Sequence, residues 1–252
     1  MELSVCIDMI GHELPLPERL KLVRECGYGA VEFWGWWEKD MDAYRLAQRE
    51  YGLRTAGFCT KMDANPGDPS QRGQWLDGLR ESLDMARWLD CPTLIAQAGA
   101  ALEGVPHARQ LDALAETLSQ AADILAGSGV RLAVEPLNPQ DHPGYSLVYA
   151  GEAFALLDQV NRPEIRLLYD LYHQQISEGN LTDRILPHLE QIAHFHLAGV
   201  PGRHEPAQGE INAPWLLEQI RAAGYDGCIG LEYLPLADPA ESLRQTRAYL
   251  SC

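Results

Sequence analysis

Strand-like and helix-like segments alternate eight times along this chain, which predicts a (β/α)8 barrel. Three observations carry that reading. The length of 252 residues matches the roughly 250 that such a barrel takes. The alternation shows no composition break, internal repeat or low-complexity segment, so one barrel domain over residues 1–252 is expected. An open doubly wound sheet, the main alternative, normally carries a glycine-rich phosphate loop after its first strand, and IDMIGHELP holds neither GxGxxG nor GKS/T.

Leu3 to Ile7 reads as the first strand and ends at Asp8; Pro17 suits the first turn of a helix to Cys26, which Gly27 stops. Ala30 to Phe33 is the second strand, leading into WGWW and a helix from Met41 to Tyr51 ended by Gly52. Leu53 to Phe58 follows as a strand, Lys61 to Asp68 as a loop rich in Asp, Asn, Pro and Gly, and Ser70 to Leu89 as a long helix. Thr93 to Gln97, a helix from His107 to Gly127, and Arg131 to Glu135 complete five strands. The second half repeats the pattern with a helix at 150–160, a strand at 165–170, a helix at 181–191, a strand at 192–196, a helix at 212–223, a strand at 227–232 and a closing helix at 239–250.

A formal net charge of −16 and a pI near 4.8 argue against a nucleic-acid partner, because binders of a phosphate backbone carry a basic stripe. Six cysteines, Cys6, Cys26, Cys59, Cys91, Cys228 and Cys252, occur singly with no CxxC pair and read as reduced, mostly buried residues. MELSVCID is too short and lacks the basic leader of a signal peptide, and no segment approaches the roughly 18 unbroken apolar residues of a membrane span. The expectation is a soluble cytoplasmic protein with no membrane partner.

Four stretches carry the chemistry: AVEPLN around Glu135, LLYDLYH around Asp170 and His173, HFHLAGVPGRHEP around His196, and GLEYLP around Glu232. In each, an apolar strand-like run ends on a residue able to bind a metal. The carboxyl ends of barrel strands form one rim, where the active sites of this fold lie. Any one of these residues alone is equally well explained as a structural group, for instance a helix cap. Four at successive strand ends imply a shared task. Three carboxylates in one mouth repel and raise one another's pKa, so a divalent cation that prefers oxygen and tolerates nitrogen supplies a reason for them to converge.

From about Arg131 to Pro235 the chain resembles the sugar isomerases and epimerases of the xylose-isomerase-like barrel group, most closely hydroxypyruvate isomerase and its oxo-tetronate isomerase relatives. VEPLNPQDHPG, YDLYHQQISEGNLT, VPGRHEPAQGEIN and LEYLP are similar to that family's consecutive motifs, in order and at suitable separations. The resemblance implies that Glu135, Asp170, His196 and Glu232 bind Mg2+ or Mn2+, with Glu135 and Glu232 also acting as acid and base. Hydroxypyruvate isomerases generally have glutamine where this chain has His196, whereas ketose 3-epimerases have histidine there. His173 is similar to a substrate-oxygen binder of the epimerases.

Arg203 in the loop after the seventh strand suits a two-pronged contact with a substrate carboxylate; a surface salt bridge is its bland alternative. His204 and Glu205 share that loop, and His12, after the first strand, faces the same rim; both histidines are candidate substrate contacts. His107, His188 and His194 read as helix-surface or core residues, Asp141 and His142 as rim residues. Trp34, Trp36 and Trp37 form either a pocket wall or ordinary packing and receive no catalytic role.

The function expected is isomerisation of a small hydroxy-keto acid, hydroxypyruvate to tartronate semialdehyde or a 2-oxo-tetronate, by enediolate proton transfer between two glutamates at a metal. The alternative is a ketose 3-epimerase acting on a sugar at the same metal site. A barrel-shaped DNA-repair endonuclease needs more metal-binding histidines and a basic surface, and a sugar-sensing barrel would bind metal without turnover. The sequence leaves room for a homo-oligomer.

Overall fold

In the computed structural model, which describes residues 1–250, eight strands close into a parallel barrel in chain order. They are β1 Glu2–Cys6, β2 Ala30–Phe33, β3 Arg54–Cys59, β4 Thr93–Gln97, β5 Arg131–Glu135, β6 Ile165–Asp170, β7 Ile192–Leu197 and β8 Cys228–Leu231. Closure is direct: β1 pairs with β8 from Glu2↔Cys228 to Val5↔Leu231. A parallel strand in this fold faces side chains on one side and helices on the other, so it is buried twice over and reads as a near-continuous apolar run. Val31, Leu94, Leu132, Leu167 and Ile229, each 0 % exposed, are such positions.

The helices are α1 Leu16–Glu25, α2 Met41–Glu50, α3 Arg72–Leu89, α4 His107–Leu125, α5 Ala150–Val160, α6 Leu171–Ser177, α7 Leu181–Ile185, α8 Ala213–Ala222 and α9 Pro239–Leu250. Gly27 ends α1 at φ 87°, a left-handed conformation that favours glycine. Among the described residues no helix is long and apolar enough to cross a membrane. The five described cysteines are free and buried; Cys252 lies outside the described residues.

The expected strands agree with the observed ones to within one or two residues at each end. The long helix expected from Ser70 begins at Arg72, after Asp68 has tied down the turn by accepting from Ser70 N and Ser70 Oγ. The helix expected over 181–191 divides: α7 stops at Ile185 and residues 186–191 form a 3-10 turn, because Pro187 brings no N–H to continue an α-helix. Helix α6 was not expected. It starts directly off β6, where the Asp170 carboxylate caps it by accepting from Tyr172 N at 2.7 Å and His173 N at 3.2 Å.

Candidate active site

Register brings the site together. Asp170 on β6 lies level with His196 on β7, and His196 with Gly230 on β8, while Glu135 closes β5 opposite Gln97 of β4. Glu232 follows β8 immediately, and its N–H donates to Leu197 O at 3.2 Å. The four side chains are buried, and each offers a ligand atom within 4.8 Å of the others. His196 Nδ1 stands 3.0 Å from Glu232 Oε2 and 3.6 Å from Glu135 Oε1. Both ring nitrogens of His196 nevertheless lack an aligned hydrogen bond among the described residues.

Two neighbours hold Glu232 from the sides. The indole N–H of Trp34 donates to Oε1 at 2.6 Å, and Arg203 Nη2 makes a short contact with Oε2. Tyr145 pins Glu135 through its backbone: its hydroxyl donates to Glu135 O at 2.8 Å and accepts from Ala98 N at 2.5 Å. His173 is fixed by Asn138, whose backbone and side-chain nitrogens lie 3.2 and 2.7 Å from Nδ1.

Arg203 reaches across the mouth from the loop after β7. Its Nη2 lies 3.2 Å from Asp170 Oδ2, its Nη1 3.2 Å from His173 Nε2, and its Nε donates to Glu232 O at 3.2 Å. The guanidinium also sits over the Tyr172 ring, 5.0 Å from its centroid. Arg203 has φ 56°, a left-handed conformation that a side-chain-bearing residue adopts at a cost. Its carbonyl accepts from Leu234 N at 2.7 Å, which locks that backbone in place.

Charge is divided unevenly over this cluster. Burial pushes Glu135 up, and the Glu232 and Asp170 charges add to it against the opposing pull of His196, so that its carboxyl sits at about 7. Burial raises Glu232 too, but the His196 and Arg203 charges and the Trp34 hydrogen bond overcome it and hold the group well below the carboxylate range. Burial works against a charged His196, yet Glu232 and Glu32 hold its pKa well above the ordinary value. His173 is driven down to about 4, first by burial and then by Arg203, against Asp170. It is therefore a neutral imidazole at pH 7.

A cavity of about 200 Å³ opens over these groups, with Trp34, Met62, Ile95 and Leu137 as apolar wall and Gln97 and His142 as polar points. Of the expected substrate contacts, His173 and Arg203 line it. His12 and His204 do not. The His12 side chain is 61 % exposed beside Glu13, and Nδ1 of His204 is turned onto Leu234 O at 2.9 Å. His107 is on the surface with Glu152 at 2.7 Å, and the ring of His188 stacks on Phe154 with centroids 4.1 Å apart.

Sequence reasoning gave no role to Glu32 or to the indole N–H of Trp34. Glu32, 1 % exposed, lies within the barrel with Oε2 2.8 Å from His194 Nε2 and Oε1 3.2 Å from His196 Nε2. The legible signal was an acidic residue inside AVEF, an otherwise apolar strand, since a buried charge demands a partner. Trp34 separates from its neighbours: Trp36 and Trp37 pack edge to face at 6.1 Å, and Trp36 Nε1 donates to Ser82 Oγ.

A strand-end carboxylate and imidazole cluster inside a closed eightfold barrel defines a class, and comparison with known proteins agrees. Residues 20–251 match the family model described as xylose isomerase-like TIM barrel. The chain belongs to that family and is an isomerase. It is 33 % identical to a putative hydroxypyruvate isomerase of Homo sapiens, over 93 % of this chain and 89 % of the relative. It is 31 % identical to 2-oxo-tetronate isomerase of Cupriavidus necator, over 97 % of this chain and 96 % of the relative. Among solved structures it superposes on a Brucella melitensis protein described as AP endonuclease, family 2, with a TM-score of 0.94, 33 % identity and 99 % of each chain covered.

Proposed function

We propose that this protein isomerises a small hydroxy-keto acid, of the hydroxypyruvate or 2-oxo-tetronate kind, by moving a proton between neighbouring carbons with Glu135 and Glu232 at a divalent metal. The observation that supports it best is the convergence of Glu135, Asp170, His196 and Glu232 in one buried cluster, of which Glu135, His196 and Glu232 line the cavity. The names of the human and Cupriavidus relatives suggest the substrate class.

These residues fit a hard divalent ion. Three carboxylates and one imidazole are a donor set for Mg2+ or Mn2+, and the unaligned ring nitrogens of His196 mark a position a cation completes. Histidine binds metal as the neutral ring, so the ion would replace the proton that the surrounding carboxylates favour on His196. When bound, such an ion supplies positive charge that stabilises negative charge building on the substrate oxygens.

The chain's own residues do the rest. Glu135 and Glu232 both reach this cluster; one removes a proton from carbon and the other returns it to the adjacent carbon. Trp34 and Arg203 hold Glu232 in one rotamer, and Tyr145 anchors the backbone of Glu135. His173, neutral and fixed by Asn138, presents Nε2 toward the cavity mouth, where it orients a substrate oxygen. Arg203 supplies the guanidinium for a carboxylate. The apolar wall of Trp34, Met62, Ile95 and Leu137 excludes water from the reacting carbon.

A ketose 3-epimerase is the second reading, favoured by His196 at the position where hydroxypyruvate isomerases generally carry glutamine. A nuclease reading suits the chain poorly, because a net charge of −16 repels a phosphate backbone. The unpaired buried cysteines suit the reducing cytoplasm. The test is kinetic: at saturating Mn2+, Glu135→Gln and Glu232→Gln each lower kcat on hydroxypyruvate by roughly 10²- to 10⁴-fold. Full activity in either variant removes that glutamate from the mechanism.

A further inference from the structure

Below the cluster just described lies a second polar group that the proposed chemistry does not use. Glu32 projects from β2 into the barrel interior, away from the cavity, and none of its atoms lines that cavity. Its Oε2 accepts from Ser4 Oγ at 2.9 Å and lies 2.8 Å from His194 Nε2. Its Oε1 lies 3.2 Å from His196 Nε2, and both of these atoms are buried without an aligned hydrogen bond among the described residues. The barrel keeps space for this carboxylate. Gly230, level with both Ser4 and His196 in the register, has no side chain, and a Cβ there would collide with the Glu32 carboxylate.

We infer that Glu32 is a positioning residue for His196: its Oε1 accepts a hydrogen bond from the Nε2–H of that ring, which keeps the proton on Nε2 and leaves Nδ1 bare and aimed at Glu135, Asp170 and Glu232. The inference rests on the metal reading proposed above. Neutral imidazole has one N–H and one lone pair, and the hydrogen bond at one nitrogen decides which of them the other presents. At Nε2 the nearest acceptor is Glu32 Oε1. A small turn of the ring aligns the 3.2 Å pair, satisfies two buried orphans at once and leaves the Nδ1 lone pair on the side of the three carboxylates. His194 and Ser4 hold the other carboxylate oxygen, so Glu32 itself has one orientation.

The amide of Glu32→Gln is the informative change. It has nearly the same volume but only one acceptor oxygen. With both Nε2 atoms protonated, its NH2 faces an imidazole N–H whichever way it turns, either that of His194 or that of His196.

The experiment is calorimetric titration of wild type and Glu32→Gln with Mn2+, joined to ring 15N spectra of the Mg2+-saturated wild type. Wild type is expected to bind one Mn2+, and Glu32→Gln to bind it roughly 10- to 100-fold more weakly, the usual effect of losing such a support. The spectra are expected to put the His196 proton on Nε2. Equal affinities overturn the inference while leaving the metal reading intact, and so does a proton found on Nδ1, which the wild-type spectra report even if Glu32→Gln does not fold. Two Mn2+ per chain, one of them lost in Glu32→Gln, overturn it in favour of Glu32, His194 and His196 as a second metal site. A wild type that binds no Mn2+ removes the metal reading and this inference with it.

Discussion

Replacing Arg203 with lysine separates the two substrate classes. The guanidinium touches Asp170, the Glu232 carboxylate and carbonyl, and His173, and lies over Tyr172. Lysine keeps the charge but has a single nitrogen, which can stay with one carboxylate and not span two. A hydrogen bond to a charged group contributes about 1.5–3 kcal/mol. Loss of one such contact with a substrate carboxylate corresponds to about a 10- to 100-fold rise in KM, at about 1.4 kcal/mol per factor of ten. A neutral ketose would lose one ordinary hydrogen bond of about 0.5–1.5 kcal/mol, or roughly two- to tenfold. The assay is steady-state kinetics of wild type and Arg203→Lys on hydroxypyruvate and a 2-oxo-tetronate, beside tagatose and fructose. Turnover of the ketoses with the hydroxy-keto acids inert, and a lysine variant indistinguishable from wild type, would refute the carboxylate contact and favour the epimerase.

Two further outcomes are expected. Asp170→Asn retains an oxygen to cap α6 but loses the anionic ligand, so the apoprotein stays folded while the stabilisation by metal, about 2.7 kcal/mol at 100 times Kd, disappears; melting with and without Mn2+ checks this, and an undiminished shift would exclude Asp170 as a ligand. Trp34→Phe keeps an aromatic wall but removes the 2.6 Å indole donor to Glu232. Losing that bond to a buried charged acceptor is expected to cost about 1.5–3 kcal/mol of folding stability and, by freeing the carboxylate, to lower kcat roughly tenfold or more; an unchanged kcat would make Trp34 wall only.

The barrel was legible because doubly buried strands leave an unmistakable run of apolar residues, and because Gly27 and Gly52 punctuate the helices between them. Glu135, Asp170, His196 and Glu232 were legible for the same reason: each breaks such a run at its carboxyl end. Helix α6 was hidden because it has no linker, its cap being Asp170 itself, the last residue of the strand before it. Glu32 and His194 were passed over because they occur within strands, where a polar residue reads as core. Their pairing spans 162 positions of sequence, a distance that only barrel closure brings to 2.8 Å. In the loop from Ala198 to Asn212, Arg203 lines the cavity whereas His204 turns its Nδ1 onto Leu234 O, a difference that sequence spacing does not reveal.

The most direct measurement is anomalous scattering from a crystal soaked in Mn2+. One peak is expected within bonding distance of Glu135, Asp170, His196 and Glu232, at the ~2.0–2.6 Å typical of divalent ions and oxygen or nitrogen ligands. A peak elsewhere, or none at saturating Mn2+, contradicts it.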